Sequence, residues 1–168
     1  SKPVIYCANI SEVGNTSNFE LEQVDKLKNL AKDEQAEVIV VSAKTEEELC
    51  LLDDEEKELF KAELGIESFG LDQLVLAGYR VLGLISYLTA GEQECRAWTI
   101  VNGTKAPQAA GKIHTDFEKG FIKAEVVSYE DLVSLGNYNL AREKGLVRIE
   151  GKEYVVKDGD VVYFRFNV

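Results

Sequence analysis

The stretch RAWTIVNGTKAPQAAGKIHTDFEKGFIKAEVV, residues 96–127, decides how the chain folds. It opens on Arg96-Ala97-Trp98-Thr99-Ile100-Val101 and closes on Phe121-Ile122-Lys123-Ala124-Glu125-Val126-Val127. Both runs alternate with period two and are rich in β-branched and aromatic residues, the pattern of half-buried strands. A short helix fits between them. Downstream, Leu146-Val147-Arg148-Ile149, Tyr154-Val155-Val156 and Val161-Val162-Tyr163-Phe164-Arg165-Phe166 are three further strand candidates. Asp158-Gly159-Asp160 makes a tight turn between the last two. Ser128, followed three residues on by Asp131, caps a short helical turn around Leu132 and Leu135.

Two strands, a helix and a return of short strands is the plan of an α+β β-grasp, ubiquitin-like domain. Upstream the pattern differs. Val4-Ile5-Tyr6-Cys7-Ala8 and Val38-Ile39-Val40-Val41 are continuous apolar runs, as strands buried on both faces of a parallel sheet have. Between them Leu21, Val24, Leu27, Leu30 and Ala31 recur at helical spacing, and Ser17 with Glu20 supplies a capping box. This is one βαβ unit. The acidic stretch Glu46 to Glu63 follows as a solvated helix, then an amphipathic helix over Leu71 to Ile85, preceded by Gly70. We therefore expect two parts, residues 1–85 with α/β and helical character and residues 86–168 as the β-grasp domain.

Charge supports a division. Residues 1–84 carry 8 basic and 18 acidic side chains, whereas residues 85–168 carry 11 and 12. The 168-residue chain has net charge −11, and its 45% hydrophobic content with 29% charged residues is the balance of a globular protein. The longest apolar candidate, Leu71 to Leu88, is broken by Asp72, Gln73 and Arg80, which argues against a membrane span. Cys7, Cys50 and Cys95 form no CxxC pair and read as reduced thiols of a cytoplasmic chain. One His excludes a histidine-based zinc cluster. The chain begins with Ser inside a strand pattern, and two strands alone do not complete a doubly wound sheet. Further strands are expected before residue 1, leaving strands 4–8 and 38–41 with an edge that invites self-association.

Four constellations bear on chemistry. Ala106 to Thr115 approaches a phosphate loop but fails: Ala106 stands where the first glycine belongs and Ile113 where the Mg²⁺-binding hydroxyl belongs. His114, without a neighbouring nucleophile, reads as a histidine hydrogen-bonded in a turn beside Asp116. Arg96, Lys105, Lys112, Lys119 and Lys123, interleaved with Trp98, Phe117 and Phe121, form a candidate RNA- or ribosome-binding set, the alternative being core aromatics with solubilising lysines. Fourth, Asn9-Ile10-Ser11-Glu12 follows a buried parallel strand, where open α/β sheets place ligands. It is the position of an Asn-Lys-x-Asp loop that recognises guanine, here with Ile10 for Lys and Glu12 for Asp. The longer carboxylate cannot keep the same bidentate geometry. The second strand ends in Ser42-Ala43-Lys44, which resembles the further base-contacting turn of the same nucleotide-binding domains.

In these residues the chain resembles the C-terminal part of the YchF or Obg-like ATPase family of translation-associated P-loop proteins. The resemblance runs from Lys2-Pro3 through Asn9–Glu12, Leu52-Asp53-Asp54-Glu55-Glu56, Thr89-Ala90-Gly91 and Arg96-Ala97-Trp98-Thr99-Ile100 to Phe164-Arg165-Phe166-Asn167-Val168. The run KAPQAAGKIHTDFEKGF, residues 105–121, is its most specific element. The resemblance implies that residues from about 86 onward form a TGS domain, a β-grasp module shared with threonyl-tRNA synthetases and stringent-response enzymes. It implies that residues 1–44 end a nucleotide-binding domain, in which Asn9, Ile10, Glu12, Ser42 and Ala43 contact the base. It further implies ATP or GTP with Mg²⁺ as ligands of the longer protein and ribosome association in the cytoplasm. The phosphate loop and metal ligands would precede residue 1, so the chain alone is expected neither to hydrolyse nucleotide nor to hold it tightly. The alternative is a self-sufficient β-grasp module that docks ribosome or RNA without nucleotide.

Overall fold

Ser17 and Glu20 do what their spacing predicts: the Ser17 hydroxyl accepts from the Glu20 amide at 3.2 Å, and the Glu20 carboxylate accepts from the Ser17 amide at 2.8 Å. This box starts helix α1 (Asn18–Glu34), which ends at Gln35 in the left-handed region, φ 55°. On either side lie strands β1 (Ile5–Asn9) and β2 (Glu37–Val41), paired in parallel from Ile5↔Glu37 to Asn9↔Val41. The structure, a computed structural model, describes residues 2–12, 16–65, 68–91 and 94–167. It divides into two units, 1–82 and 83–168.

In the first unit, three helices follow β2: α2 (Ala43–Leu49), α3 (Asp54–Leu64) and α4 (Gly70–Leu82). The acidic stretch from Glu46 to Glu63 is thus two helices rather than one. The reason was readable locally: Asp53 caps a new helix, accepting from the Glu56 amide at 2.9 Å while Glu56 accepts from the Asp53 amide at 3.0 Å. Helix α4 is shorter than expected, ending at Leu82 because Gly83 turns left-handed at φ 61°. Its start, Gly70, meets β2 so closely that a Cβ there would lie 2.5 Å from Val41 Cγ1. Only a glycine admits that approach. The apolar strands are less covered than expected. Within β1 and β2 only Ile39 is fully buried, since this sheet has two strands and each is paired on one side alone among the described residues.

The second unit starts with a strand that is not among the five strand candidates of the sequence, its first two residues falling at the end of the expected helix over Leu71 to Ile85. Strand β3 (Leu84–Ala90) pairs antiparallel with β4 (Cys95–Val101). Helices α5 (Ala106–Ile113) and α6 (Thr115–Lys119) follow, then β5 (Phe121–Ser128), α7 (Tyr129–Leu135), α8 (Tyr138–Glu143), β6 (Arg148–Glu150) and β7 (Asp160–Phe166). The sheet order is β4-β3-β7-β5-β6, with β3 and β7 parallel and every other neighbour antiparallel. Tyr154-Val155-Val156 is not a strand. Only Val155 bridges, to Lys105, while Val156 turns into the core. Helix α8 has an N-cap the sequence reading did not use, Asn137, whose Oδ1 accepts from the Asn139 amide at 2.7 Å.

Alternation along the strands sends Tyr87, Ile100, Ala124, Val126, Val162 and Phe164 to one face, under α5. Ala106, Ala109 and Ala110 of α5 are completely buried there. Three methyl side chains let the helix backbone approach closely enough for the Tyr87 hydroxyl to donate to the Ala109 carbonyl at 2.8 Å. The opposite face is partly covered by α7 and α8, with Leu132, Leu135 and Tyr138 against Val127 and Val161.

Candidate functional site

At the carboxyl ends of β1 and β2 the two loops singled out in the sequence come together. Asn9 is the last residue of β1, and its Oδ1 accepts from the Ala43 amide, the first residue of α2, at 3.0 Å. The Ile10 amide donates to the Val41 carbonyl at 2.8 Å, extending the strand pairing by one rung. Buried Ser42 caps α2, accepting from the Thr45 amide at 3.3 Å and from its hydroxyl at 2.9 Å. Glu12 pairs with the Lys44 ammonium across the two loops. Asn9, Ile10, Glu12, Ser42 and Ala43 are therefore neighbours, although 29 residues of chain separate the two groups.

The division of labour within the cluster follows from its bonds. Asn9 commits its carbonyl oxygen to Ala43 and keeps its amide NH₂ as a donor. Ser42 is spent on helix capping and is buried, whereas its neighbour Ala43 is the exposed part of the turn. Glu20 fixes the loop from below. Its carboxylate accepts from the Ser11 amide and hydroxyl, both at 2.9 Å, and from the Ser17 amide and hydroxyl, both at 2.8 Å. The Ser17 and Ser11 donors hold its pKa down to about 2, from the ordinary value of 4.5. A carboxyl lowered on folding contributes stability that is present above the unfolded-state value and lost as pH falls through the folded one. Between pH 4.5 and about 2 the loop is expected to release from α1. Amide exchange of Ser11 across that range checks this, and Glu20→Gln should make exchange fast and pH-independent of this group.

The basic set in the second unit does not gather on one surface. The Arg96 guanidinium lies 4.3 Å from the Trp98 ring centroid, and pairing of Thr89 with Arg96 puts it on the α5 side of the sheet. Lys123, opposite Arg165, points to the other face. Lys105 is paired with Glu153 at 2.5 Å. Lys112 and Lys119 are exposed in the last turns of α5 and α6, where a cation complements the helix dipole. His114 caps α6, accepting at Nδ1 from the Asp116 amide at 3.2 Å.

What the sequence reading did not assemble is the opposite face. There buried Glu125 accepts from the Tyr138 hydroxyl at 2.9 Å and from Arg165 Nε at 3.2 Å, with Lys123 Nζ at 3.9 Å. Burial pushes the Glu125 carboxyl up, but Tyr138, Arg165 and Lys123 together hold it below its ordinary value. Burial and that carboxylate push the Tyr138 phenol up to about 12. Among the described residues no group of His, Cys, Asp and Glu could hold a metal ion, and no helix is long and apolar enough to cross a membrane.

A family described as YchF-GTPase C-terminal, a protein of unknown function (DUF933), matches residues 84–167. The chain is 57% identical over 168 residues to a Bacillus subtilis protein named "Ribosome-binding ATPase YchF", covering all of this chain and 46% of that protein. A Haemophilus influenzae protein of the same name is 50% identical over 167 residues, covering 99% and 45%. The chain thus spans about half the length of the curated relatives it matches. The Schizosaccharomyces pombe YchF GTPase structure superposes with TM-score 0.84 at 38% identity, over 97% of this chain and 43% of that one. A GTP-binding protein from Pyrococcus horikoshii OT3 shares the fold, with TM-score 0.68 at 20% identity.

Proposed function

The chain belongs to the YchF family, and from that premise we propose that it supplies the base-recognising edge of a ribosome-associated nucleoside triphosphatase together with a β-grasp domain of the TGS type. The observation that carries this reading is the Asn9–Ala43 bond, which joins the two expected base-contacting loops at the carboxyl edge of a parallel strand pair. Asn9, the Ile10 backbone and Ala43 would meet the base of ATP or GTP. The Lys44 ammonium on Glu12 withdraws the carboxylate that a guanine-selective loop would present to the base N1–H and amino group. Ser42 acts through its cap rather than by contact.

The ligand's phosphates and Mg²⁺ need groups this chain lacks, because no Gly-x-x-x-x-Gly-Lys-Ser/Thr run occurs in it. The chain alone is therefore proposed to be non-hydrolytic. Support for the β-grasp assignment is the sheet order itself, with the first and last strands of the second unit, β3 and β7, central and parallel and a helix crossing between β4 and β5. Ribosome association, the property in the relatives' name, is assigned to this second domain, and the cytoplasm follows as the compartment.

The test is co-sedimentation of the purified chain with ribosomes across a salt series, paired with a phosphate-release assay. Salt-sensitive pelleting without Mg²⁺-dependent phosphate release is the expected result. Failure to pellet would overturn the assignment of ribosome contact to this chain, and Mg²⁺-dependent turnover would overturn the non-hydrolytic reading.

A further inference from the structure

Resting on that reading, we infer that Glu20 is a positioning residue for base recognition, holding the loop from Asn9 to Glu12 in the form a nucleotide base fits without itself meeting the ligand. Glu20 stands in the first turn of α1, and Ser11 lies just past the end of β1. The Ser11 amide donates to one Glu20 oxygen and the Ser11 hydroxyl to the other, each at 2.9 Å. The second oxygen also accepts from the Ser17 amide and hydroxyl, both at 2.8 Å. A helix cap needs only the Ser17 half of this network. The Ser11 half does nothing for capping, and it falls in the loop that carries the proposed base contacts.

The loop is thereby tied in two directions. Asn9 accepts from the Ala43 amide at 3.0 Å, the Ile10 amide donates to the Val41 carbonyl at 2.8 Å, and Glu12 pairs with Lys44. Those three bonds join the loop to residues 41–44, whereas the Ser11–Glu20 bonds join it to α1. A loop anchored on both sides is already in its binding form and loses little freedom when the ligand arrives. Released from α1, it populates other forms, and the apparent affinity falls by the fraction that stays competent. Glu20→Gln keeps the length of the side chain but replaces one accepting oxygen by an NH₂, which confronts the Ser11 or Ser17 donors with a donor. Hydrogen bonds to an ionised carboxylate are also stronger than those to a neutral amide. The substitution therefore breaks the link to the loop while the Ser17 hydroxyl still accepts from the residue 20 amide, the other half of the cap.

The test is a titration of the isotope-labelled chain with ATP, carried to millimolar concentrations and read by NMR at the Asn9 side-chain amide and the Ala43 backbone amide. Glu20→Gln is expected to raise the dissociation constant roughly fivefold, the loss of competent loop that the broken link implies. Ser11→Ala, which leaves the cap of α1 intact, should raise it about twofold to threefold, and adding it to Glu20→Gln should change little more, because both break one link. Ser17→Ala weakens the cap but leaves both Ser11 bonds to Glu20, so it should bind within about twofold of the parent chain. A role in helix stability alone predicts the reverse, with Ser17→Ala and Glu20→Gln alike and Ser11→Ala inert, and that result overturns the inference. So does Glu20→Gln binding like the parent while Asn9→Ala abolishes the shifts, an outcome that leaves the base-recognition reading standing. If ATP moves neither resonance in the parent chain, or if Asn9→Ala binds as the parent does, both fail.

Discussion

Replacing Tyr87 by Ala is expected to unfold the second unit at denaturant concentrations where the first is unaffected. Tyr87 is fully buried at the centre of β3, donates its hydroxyl to the Ala109 carbonyl, and meets Phe164 edge-on with ring centroids 5.8 Å apart. Removing the ring leaves a cavity beneath α5 that three buried alanines cannot fill, because they have no rotamers to adjust. Loss of a buried aromatic side chain costs about 3–5 kcal/mol, a large share of the roughly 5–15 kcal/mol that holds a domain together. Tyr87→Phe should cost only about 1 kcal/mol, the net worth of one hydrogen bond. The single tryptophan, Trp98, sits in this unit opposite Tyr87, so its fluorescence reports the transition directly. A midpoint for Tyr87→Ala within experimental error of Tyr87→Phe would show that the ring does not support the helix.

The second large effect is expected at Asp160, the first residue of β7 and among the most buried charged side chains described. Its carboxylate accepts from the Tyr154 hydroxyl at 2.6 Å, the Lys157 amide at 2.9 Å and Arg148 at 3.5 Å. Together these bonds pin the loop between β6 and β7 where the chain forms no ladder. Asp160→Ala leaves a hydroxyl and an amide unpaired and should cost roughly 3 kcal/mol. A titration separates loss of this cluster from general loosening. Burial first, then the Asp160 carboxylate, push the Tyr154 phenol up to about 12. A phenol raised on folding contributes stability that is present below pH 10 and lost as pH rises through about 12. In Asp160→Ala the alkaline transition of Tyr154 should therefore begin at lower pH. An unchanged transition would mean that Asp160 does not hold it.

Legibility differed by the range of the interaction involved. The α1 capping box, the Ser128–Asp131 cap and the β2 apolar run are contained within a few residues, and each was readable. The Asp53–Glu56 box is equally local, yet a continuous charge run masks it, so the sequence pattern predicts one helix where the structure has two. Leu84-Ile85 misled for another reason. An apolar run following an amphipathic helix fits its period until Gly83 breaks the backbone, and only pairing with Ile100 and Val101 makes it a strand. Val155 and Val156 alternate as a strand does, but a single bridge to Lys105 is all the partner they find.

By itself the sequence determined the family resemblance, the βαβ order, the caps at Ser17 and Ser128 and the candidate base loops, because these depend on residue type, period and short spacings. The tertiary structure decided which of those groups act together. It joined Asn9 to Ala43, separated Arg96 from Lys123 by sending them to opposite faces of one sheet, and brought Arg165 to Glu125 from 40 residues away. Pairing register sets such contacts, and register depends on the partner strand, which no local pattern contains.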